Sequence, residues 1–394
     1  MKKFGLLPRL ILGIVIGIVI GKIRVLFLVE LLATFNNIFG SFLGFIIPLI
    51  IVGFVAPGIG NLGKGAGKLL GGSTLLAYVS TVIAGSFAYF VDTNIFPHFL
   101  KVGSLVLNDT SNPEEALIKS LIDVKIPPLM DVMTALVFAF VIGLGIAYLK
   151  EDTVKKFMDE FQLIVEGTIK SVIIPLLPFH IAGIFANMTY AGKVEIIISV
   201  FAKVFVVIII LHLIILLFQY SVAGSLNGKN PISLLKTMLP AYFTAVGTQS
   251  SAATIPVTLA QTKKNGANDG IAEFTVPLFA TIHLSGSTIT LTSCSLAIMM
   301  LEGINFSFSS YIGFILMLGV TMVAAPGVPG GAVMAALGLI KSMLGFSPEL
   351  ASLMIALYLA QDSFGTACNV TGDGALALII NKIAGFSLNK KEEK

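Results

Sequence analysis

Apolar segments long enough to cross a lipid bilayer dominate the chain, and several carry charged or helix-breaking residues near their centre. The clearest case runs from about residue 351 to 383 and contains Asp362 and Asp373, with no Lys or Arg before Lys382. An aspartate at mid-membrane costs about 2.5 to 3.5 kcal/mol on insertion scales. Such residues therefore indicate a function or an internal partner.

The spacing of these residues suggests what they do. At about 100° per residue, Asp362, Thr366, Asn369 and Asp373 fall on one stripe of a helix. The stripe is a column of oxygen atoms, which are the ligands that hard cations such as Na⁺ prefer. The alternative is a pair of buried structural acids held by hydrogen bonds.

The composition fits a membrane protein. The 394 residues are 56% hydrophobic and 12% charged, whereas soluble domains are about 25% charged. We expect an all-α polytopic fold of eight transmembrane helices and two re-entrant helical hairpins. Cys294 and Cys368 lie in apolar spans and are predicted to be small buried residues without a disulfide. No organic cofactor, enzymatic activity or nucleic-acid partner is expected.

The first half of the chain is predicted to contain simple spans joined by short connections. Six spans are expected at about 10–20, 27–55, 69–96, 127–149, 157–184 and 194–220, the fifth broken or bent near Pro175 and Pro178. With both termini cytoplasmic and no cleaved signal, about sixteen of the 25 Lys and Arg lie on the cytoplasmic side. The expected location is the cell membrane.

The second half changes pattern. A first hairpin is predicted at about 232–263, a broken helix at about 270–301, a second hairpin at about 311–345 and a last helix at about 347–387. Non-helical backbone at membrane depth is tolerated only where protein or a wet cavity satisfies it. Paired discontinuous segments of this kind are typical of secondary transporters.

Several motifs resemble one family. Residues 250–258 (SSAATIPVT), 277–282 (PLFATI), 327–330 (GVPG) and 369–373 (NVTGD) are similar to those of the dicarboxylate/amino acid:cation symporters, the glutamate transporter family. The motifs occur in the family's order, and the likeness follows the whole chain.

The resemblance implies a homotrimer whose transport domain moves as an elevator against a scaffold. It assigns 1–68 and 126–192 to scaffold helices 1–2 and 4–5, and 97–125 to an external loop. The transport domain would comprise helix 3 at 69–96 together with residues 193–394.

The resemblance also implies a substrate site. Asp362 matches the acid that receives the substrate amino group, and Thr366 and Asn369 match further substrate contacts. The hairpin tips that would gate the two sides contain Ser250, Ser251, Val328 and Gly330.

Sodium sites are implied by the same likeness. Asp373 matches one, with the carbonyl groups of Phe279, His283 and Asn369. Thr281 and carbonyls of the second hairpin match another. A further site would use Ser285 with Ser80 and Thr81, but Ser285 stands where acidic amino acid carriers have a carboxylate.

Differences between this sequence and the acidic amino acid carriers of the family bear on which substrate the protein carries. Gly365 stands where acidic carriers have the Arg that pairs with the substrate's side-chain carboxylate, so a second carboxylate has no bidentate partner. Gln361-Asp362-Ser363 is similar to the serine/threonine branch. Together these features favour Na⁺-coupled uptake of a small neutral amino acid.

Four alternatives stay open at this point. Lys203 or Lys341 could replace the missing Arg, which would permit an acidic amino acid or a C4-dicarboxylate. His283 could act as a proton carrier, with transport losing its pH dependence in His283→Asn, or could contribute only its carbonyl group. His283 with Ser285 or Ser287 could form an intramembrane hydrolase. The buried acids could also line an ion channel.

Overall fold

The computed structural model describes residues 6–62, 67–103, 118–130, 132–149, 152–192, 194–323, 325 and 330–392. Its regular structure is entirely helical across these ranges, as the sequence predicts. The helices are α1 Leu6–Ile23, α2 Leu26–Leu62, α3 Gly67–Ile95, α4 Val132–Tyr148, α5 Thr153–Thr168, α6 Ile174–Tyr190, α7 Val194–Asn227, α8 Pro231–Thr237, α9 Leu239–Thr248, α10 Ser251–Lys264, α11 Asp269–Ile282, α12 Ser285–Glu302, α13 Phe308–Met322, α14 Gly331–Leu344 and α15 Pro348–Glu392.

Some boundaries differ from the sequence-based expectation. α2 continues through Pro48 and Pro57 to Leu62, and α4 begins at Val132 rather than near residue 127. Residues 118–130 form no regular helix. Their backbone is instead held by side chains of α2 and α6, for example by Asn187, whose amide bonds both the N–H and the C=O of Ile118.

Length and composition identify three helical stretches in the described residues that could cross a membrane: 69–98, 199–227 and 269–302. A fourth arises if the pair at 153–176 and 178–190, bent by 40°, counts as one span. The bend follows a π-helical turn at Ile169–Ile173, directly before Pro175. Proline and π-turns both interrupt the regular hydrogen bonding of a helix, which explains the break. The protein is a multi-pass membrane protein.

Glycines bring α1 and α6 into backbone contact. Gly13, Gly17 and Gly21 are spaced by four residues and are all buried against α6. A Cβ atom at Gly13 would lie 2.5 Å from the carbonyl oxygen of Pro178, and one at Gly21 would lie 2.5 Å from that of Ala186. Small residues at this spacing let helix backbones approach closely in a membrane.

This close approach makes a testable prediction. Gly17→Val is expected to lower the free energy of unfolding by about 2 kcal/mol, because the added methyl groups must displace the α6 backbone. The matched control is Gly71→Val on α3, where an added Cβ meets no atom within 4 Å in the described structure. Thermal unfolding in detergent measures both, and equal midpoints for the two variants would contradict the prediction.

α12 and α15 form the centre of the second half. Every residue from Ser285 to Leu301 is buried, although many are Ser or Thr, and α15 is buried along most of its length from Ala351 to Ile380. α15 packs against α7, α9, α10, α11 and α12. A polar helix buried on all sides must find its partners within the protein, so this pair of helices is where polar chemistry concentrates.

The predicted interruptions occur where helices end. α9 and α10 pack together and are joined by a turn at Gln249 and Ser250, with Gln249 in a left-handed conformation at φ 53°. α11 and α12 are separated by His283 and Leu284, both non-helical. α13 and α14 also pack together, and residues 326–329 at their junction lie outside the described residues. α15 runs on to Glu392, beyond the expected end near residue 387.

Candidate functional site

The oxygen column lies on α15 and faces the broken helix and the second hairpin. Asp362, Thr366, Asn369 and Asp373 are each at most 5% exposed. Asp362 contacts the start of α14, Asn369 contacts the start of α12, and Asp373 contacts His283 between α11 and α12. The column therefore joins two chain interruptions at one place.

Asn369 caps the broken end of α12. Its Oδ1 accepts hydrogen bonds from the backbone N–H groups of Gly286 (2.8 Å) and Ser287 (3.2 Å), and its Nδ2 donates to Ser287 Oγ (2.9 Å). Leu284, at the N-cap position, supplies no side-chain cap. The first N–H groups of a helix have no partner within it, so the amide from α15 performs the role of a local cap.

Asp362 faces the first turn of α14. Its Oδ2 accepts a hydrogen bond from the Gly330 N–H (2.7 Å), and the hydroxyl groups of Tyr358 and Thr366 lie beside the carboxylate. Gly330 has φ 74°, and a Cβ there would lie 2.8 Å from Leu359. Glycine therefore permits both the backbone conformation and the close approach to α15.

The tip of the first hairpin contacts α15 through Gln249, which directly precedes the predicted pair Ser250 and Ser251. Gln249 Nε2 donates to Ser363 Oγ (2.7 Å). Ser250 is the N-cap of α10 and accepts from the Ala253 N–H (3.3 Å), while Ser251 is buried in the first turn. The hydrogen bond from Gln249 thus holds the hairpin tip against α15 at Ser363, the residue after Asp362.

Asp373 forms a buried pair with His283. Asp373 Oδ1 lies 2.9 Å from His283 Nδ1, and His283 Nε2 lies 3.0 Å from Ser80 Oγ. The carbonyl of Phe279 accepts the His283 N–H (2.9 Å). Asp373 Oδ2 has no hydrogen-bond partner in the part of the chain that the structure describes. A buried carboxylate oxygen without a donor fits a position that a cation would occupy.

Gln219 of α7 enters the predicted third sodium site. Its Nε2 lies 3.1 Å from Ser80 Oγ and 3.3 Å from Ser285 Oγ. The Thr81 hydroxyl is buried and has no partner among the residues described. An amide nitrogen thus stands between two hydroxyl groups that were expected to bind a cation.

Thr281 is not brought together with the other predicted site residues. The Thr281 side chain is exposed and its hydroxyl donates to the Leu278 carbonyl (2.7 Å). Val328 lies outside the described residues. Gly365 is buried against α12, where an added Cβ would lie 3.5 Å from Thr290 Oγ1.

Sequence reasoning missed Tyr358, Gln219 and Gln249. Tyr358 donates to Ser287 Oγ (2.9 Å) and lies one turn before Asp362 on the same stripe, so extending the column by four residues would have found it.

His212 is a helix–helix contact, as expected for a lone histidine, since its Nε2 lies 3.0 Å from the Gly286 carbonyl oxygen. Cys294 and Cys368 are buried and free, as predicted.

The hydrogen bonds of His283 disfavour a hydrolase arrangement. Its two ring nitrogens face Asp373 and Ser80, not Ser285 or Ser287. Ser287 instead bonds Tyr358 and Asn369. Neither Ser285 nor Ser287, the serines of the expected hydrolase pair, is therefore activated by His283.

Comparison with known proteins agrees with the resemblance in the motifs. The model of the sodium:dicarboxylate symporter family matches residues 6–383. The serine/threonine transporter SstT of Acinetobacter baumannii strain AYE is 27% identical over 356 residues, which cover 87% of this chain and 88% of that protein. The SstT of strain SDF is 28% identical over the same length. These matches make the protein a transporter and not an enzyme, and the chain belongs to the sodium:dicarboxylate symporter family.

Proposed function

We propose that this protein is a Na⁺-driven symporter that takes up a small neutral amino acid such as serine, threonine or alanine. The observation that carries the proposal is the buried Asp362 beside the start of α14, with Gly365 one turn further along α15. The relatives named serine/threonine transporter support the same substrate class.

Asp362 supplies a negative charge that nothing basic neutralises in the described part of the chain. A substrate ammonium group would pair with it through charge-assisted hydrogen bonds, with Thr366 and Tyr358 adjacent. Thr366 and Asn369 are the proposed further substrate contacts. Ser250, Ser251, Val328 and Gly330 are the proposed gate residues at the hairpin tips.

The missing arginine is not replaced by the lysines considered above. Lys203 lies 5.8 Å from the centre of the Phe99 ring and is exposed. Lys341 lies in the last turn of α14, about 16 Å along the helix from Gly330 at 1.5 Å per residue. A second substrate carboxylate would therefore be desolvated without a cation, which disfavours acidic amino acids and C4-dicarboxylates. The dicarboxylates named in the family description remain the alternative substrates.

Sodium is the proposed coupling ion and is cargo of the transport cycle. The unpartnered Oδ2 of Asp373 supports a site there, completed by carbonyl groups of Phe279, His283 and Asn369. Thr281 is proposed to serve a second site with carbonyls of the second hairpin. Because Gln219 donates toward Ser80 and Ser285, we do not expect a further sodium between these residues and Thr81.

The helix packing supports an elevator. α1, α2, α4, α5 and α6 contact one another closely, whereas α3 and α7–α15 surround α12 and α15. We propose the first group as the scaffold (1–68 and 126–192) and the second as the transport domain (69–96 and 193–394). We further propose a homotrimer in the cell membrane with both termini in the cytoplasm.

The test is uptake by purified protein in proteoliposomes. Serine, threonine, alanine, aspartate and succinate are each supplied with a Na⁺ gradient, a K⁺ gradient or a pH gradient. The proposal predicts Na⁺-driven uptake of the three neutral amino acids at rates well above those of the two acids. Uptake of aspartate or succinate alone would overturn the substrate assignment. Uptake driven by the pH gradient alone would move the coupling role from Na⁺ to a proton.

A further inference from the structure

A third buried acid lies on α3, outside the column of α15. Asp92 is near the end of α3 and is 0% exposed. Neither of its carboxylate oxygens makes a hydrogen bond of regular geometry with the described residues, and the Ser293 hydroxyl adjoins it. A buried carboxylate that no cation neutralises is costly in any membrane protein and indicates a function.

The groups that face Asp92 cannot neutralise it. They are Tyr89 on its own helix, Cys294 and the adjoining Ser293 hydroxyl on α12, and Tyr311 on α13. None of them carries a positive charge.

Among the described residues, the remaining neighbouring elements place no cation against Asp92. His98 and Lys101, which follow α3, are exposed, and Lys203 of α7 lies over the Phe99 ring. α11 packs near Ala77, about 22 Å from Asp92 along α3 at 1.5 Å per residue. α15 comes nearer through the neutral Gln361, whose Nε2 donates to Cys294 Sγ (3.6 Å).

Unpaired hydroxyl groups connect Asp92 with the centre of the molecule. Thr81 on α3 and Thr288, Thr292 and Ser293 on α12 are buried, and their hydroxyl oxygens have no hydrogen-bond partner in the described structure. They line the contact between α3 and α12, which we name the hydroxyl seam. Buried hydroxyl groups that lack protein partners are sites that bound water satisfies.

Gly85 of α3 packs against this seam without a side chain. A Cβ at Gly85 would lie 3.0 Å from Thr288 Cγ2 and 3.6 Å from Thr292 Oγ1. Thr81, at one end of the seam, follows Ser80, which contacts His283. The distance from Thr81 to Asp92 along the helix is about 16 Å.

We propose that Asp92 is a proton-binding site of the carrier, and that protons reach it along the hydroxyl seam. Binding converts the carboxylate and one proton into a neutral carboxylic acid, so no counter-ion is needed in the protein interior. A proton fits better than Na⁺, which requires several oxygen ligands. The neighbouring phenol oxygen of Tyr311 already lies 2.6 Å from Ser295 Oγ, and the rest of this side is aromatic, with the Tyr89 and Tyr311 rings 5.2 Å apart.

Infrared spectroscopy and transport test this inference with Asp92→Asn, which has the shape of the neutral acid. Wild-type protein at neutral pH is expected to show the carbonyl band of a protonated carboxylic acid that Asp92→Asn lacks. Uptake by wild type at saturating Na⁺ is expected to fall about tenfold from about pH 6 to about pH 9, as the acid ionises. Uptake by Asp92→Asn is expected to be flat over this range.

Three further variants sharpen the test. Asp123→Asn replaces an exposed acid and should leave both the band and the pH profile unchanged. Asp92→Glu should restore a titrating band if the asparagine variant folds poorly. Thr292→Val should keep the band but slow its hydrogen–deuterium exchange several-fold, because it interrupts the seam.

Two results would overturn the inference. One is a carboxylic-acid band and a pH profile that are identical in wild type and Asp92→Asn. The other is a wild-type protein without the band, in which Asp92→Asn raises the Na⁺ concentration for half-maximal uptake, since that would make Asp92 a sodium ligand. The infrared measurement needs no transported substrate, so its result is independent of the substrate proposed above.

Discussion

Asp362→Asn is expected to weaken binding of serine or threonine at least about 100-fold, because the substrate ammonium group loses a buried carboxylate partner. The change keeps the shape of the side chain, and the amide oxygen can still accept the hydrogen bond from the Gly330 N–H. Thermal stability without substrate should therefore change little. The measurement is calorimetric titration of threonine at saturating Na⁺, with the substrate-induced thermal shift as a second readout.

The controls for this variant separate charge at the site from charge elsewhere. Asp269→Asn removes a side chain that is 78% exposed at the start of α11 and should bind threonine like wild type. Titration with succinate is a further control. A site that pairs with an ammonium group should not gain dicarboxylate binding in Asp362→Asn unless an undetected cation lies beside it. Unchanged threonine affinity in Asp362→Asn would show that the amino group binds elsewhere.

Asp373→Asn is expected to raise the Na⁺ concentration for half-maximal uptake by about 10-fold to 100-fold, since a neutral amide replaces the charged oxygen ligand. The orphaned Oδ2 of Asp373 is the reason for this expectation. At very high Na⁺ the variant should still bind threonine, because Asp362 is intact. Uptake measured as a function of Na⁺ concentration, with threonine held constant, gives the effect directly.

The control for Asp373→Asn is the same substitution at an acid that pairs with a lysine on the protein surface. Asp159→Asn breaks a Lys155 pair of 2.8 Å on α5 and should leave the Na⁺ dependence as in wild type. Loss of threonine binding at every Na⁺ concentration would mean that Asp373 serves the substrate. An unchanged Na⁺ dependence would remove Asp373 from the cation site.

Much of the fold follows from local features of the sequence. Apolar runs specify the spans, and prolines, glycines and clustered polar residues predict the interruptions near Gln249 and His283. The column on α15 is local as well, because helical periodicity places Asp362, Thr366, Asn369 and Asp373 on one stripe. These predictions depend only on residues within a few turns of one another.

The partners of that column could not be predicted in the same way. Asn369 caps a helix whose first residues lie 82 and 83 positions earlier, and His283 meets Ser80 across 203 positions. Gln219 and Gln249 are ordinary polar residues in their own segments. Only the packing of α7 against α3 and α12, and of α9 against α15, gives them their contacts. His180 links the two groups of helices in a similar way, with Asn36 at 2.9 Å and Ser352 at 3.0 Å.

The difference between the features that the sequence predicts and those that it does not has a physical cause. Hydrophobicity and helix period act along the chain, so they specify which segments enter the membrane and which residues share a face. Hydrogen bonds in a dry interior are specified by which helices come within about 3 Å of one another, and that depends on the packing of the whole chain. The sequence alone therefore indicates a carrier with two acids in its last helix. The packed structure adds which groups those acids face, and that no positive charge faces Asp92 among the described residues.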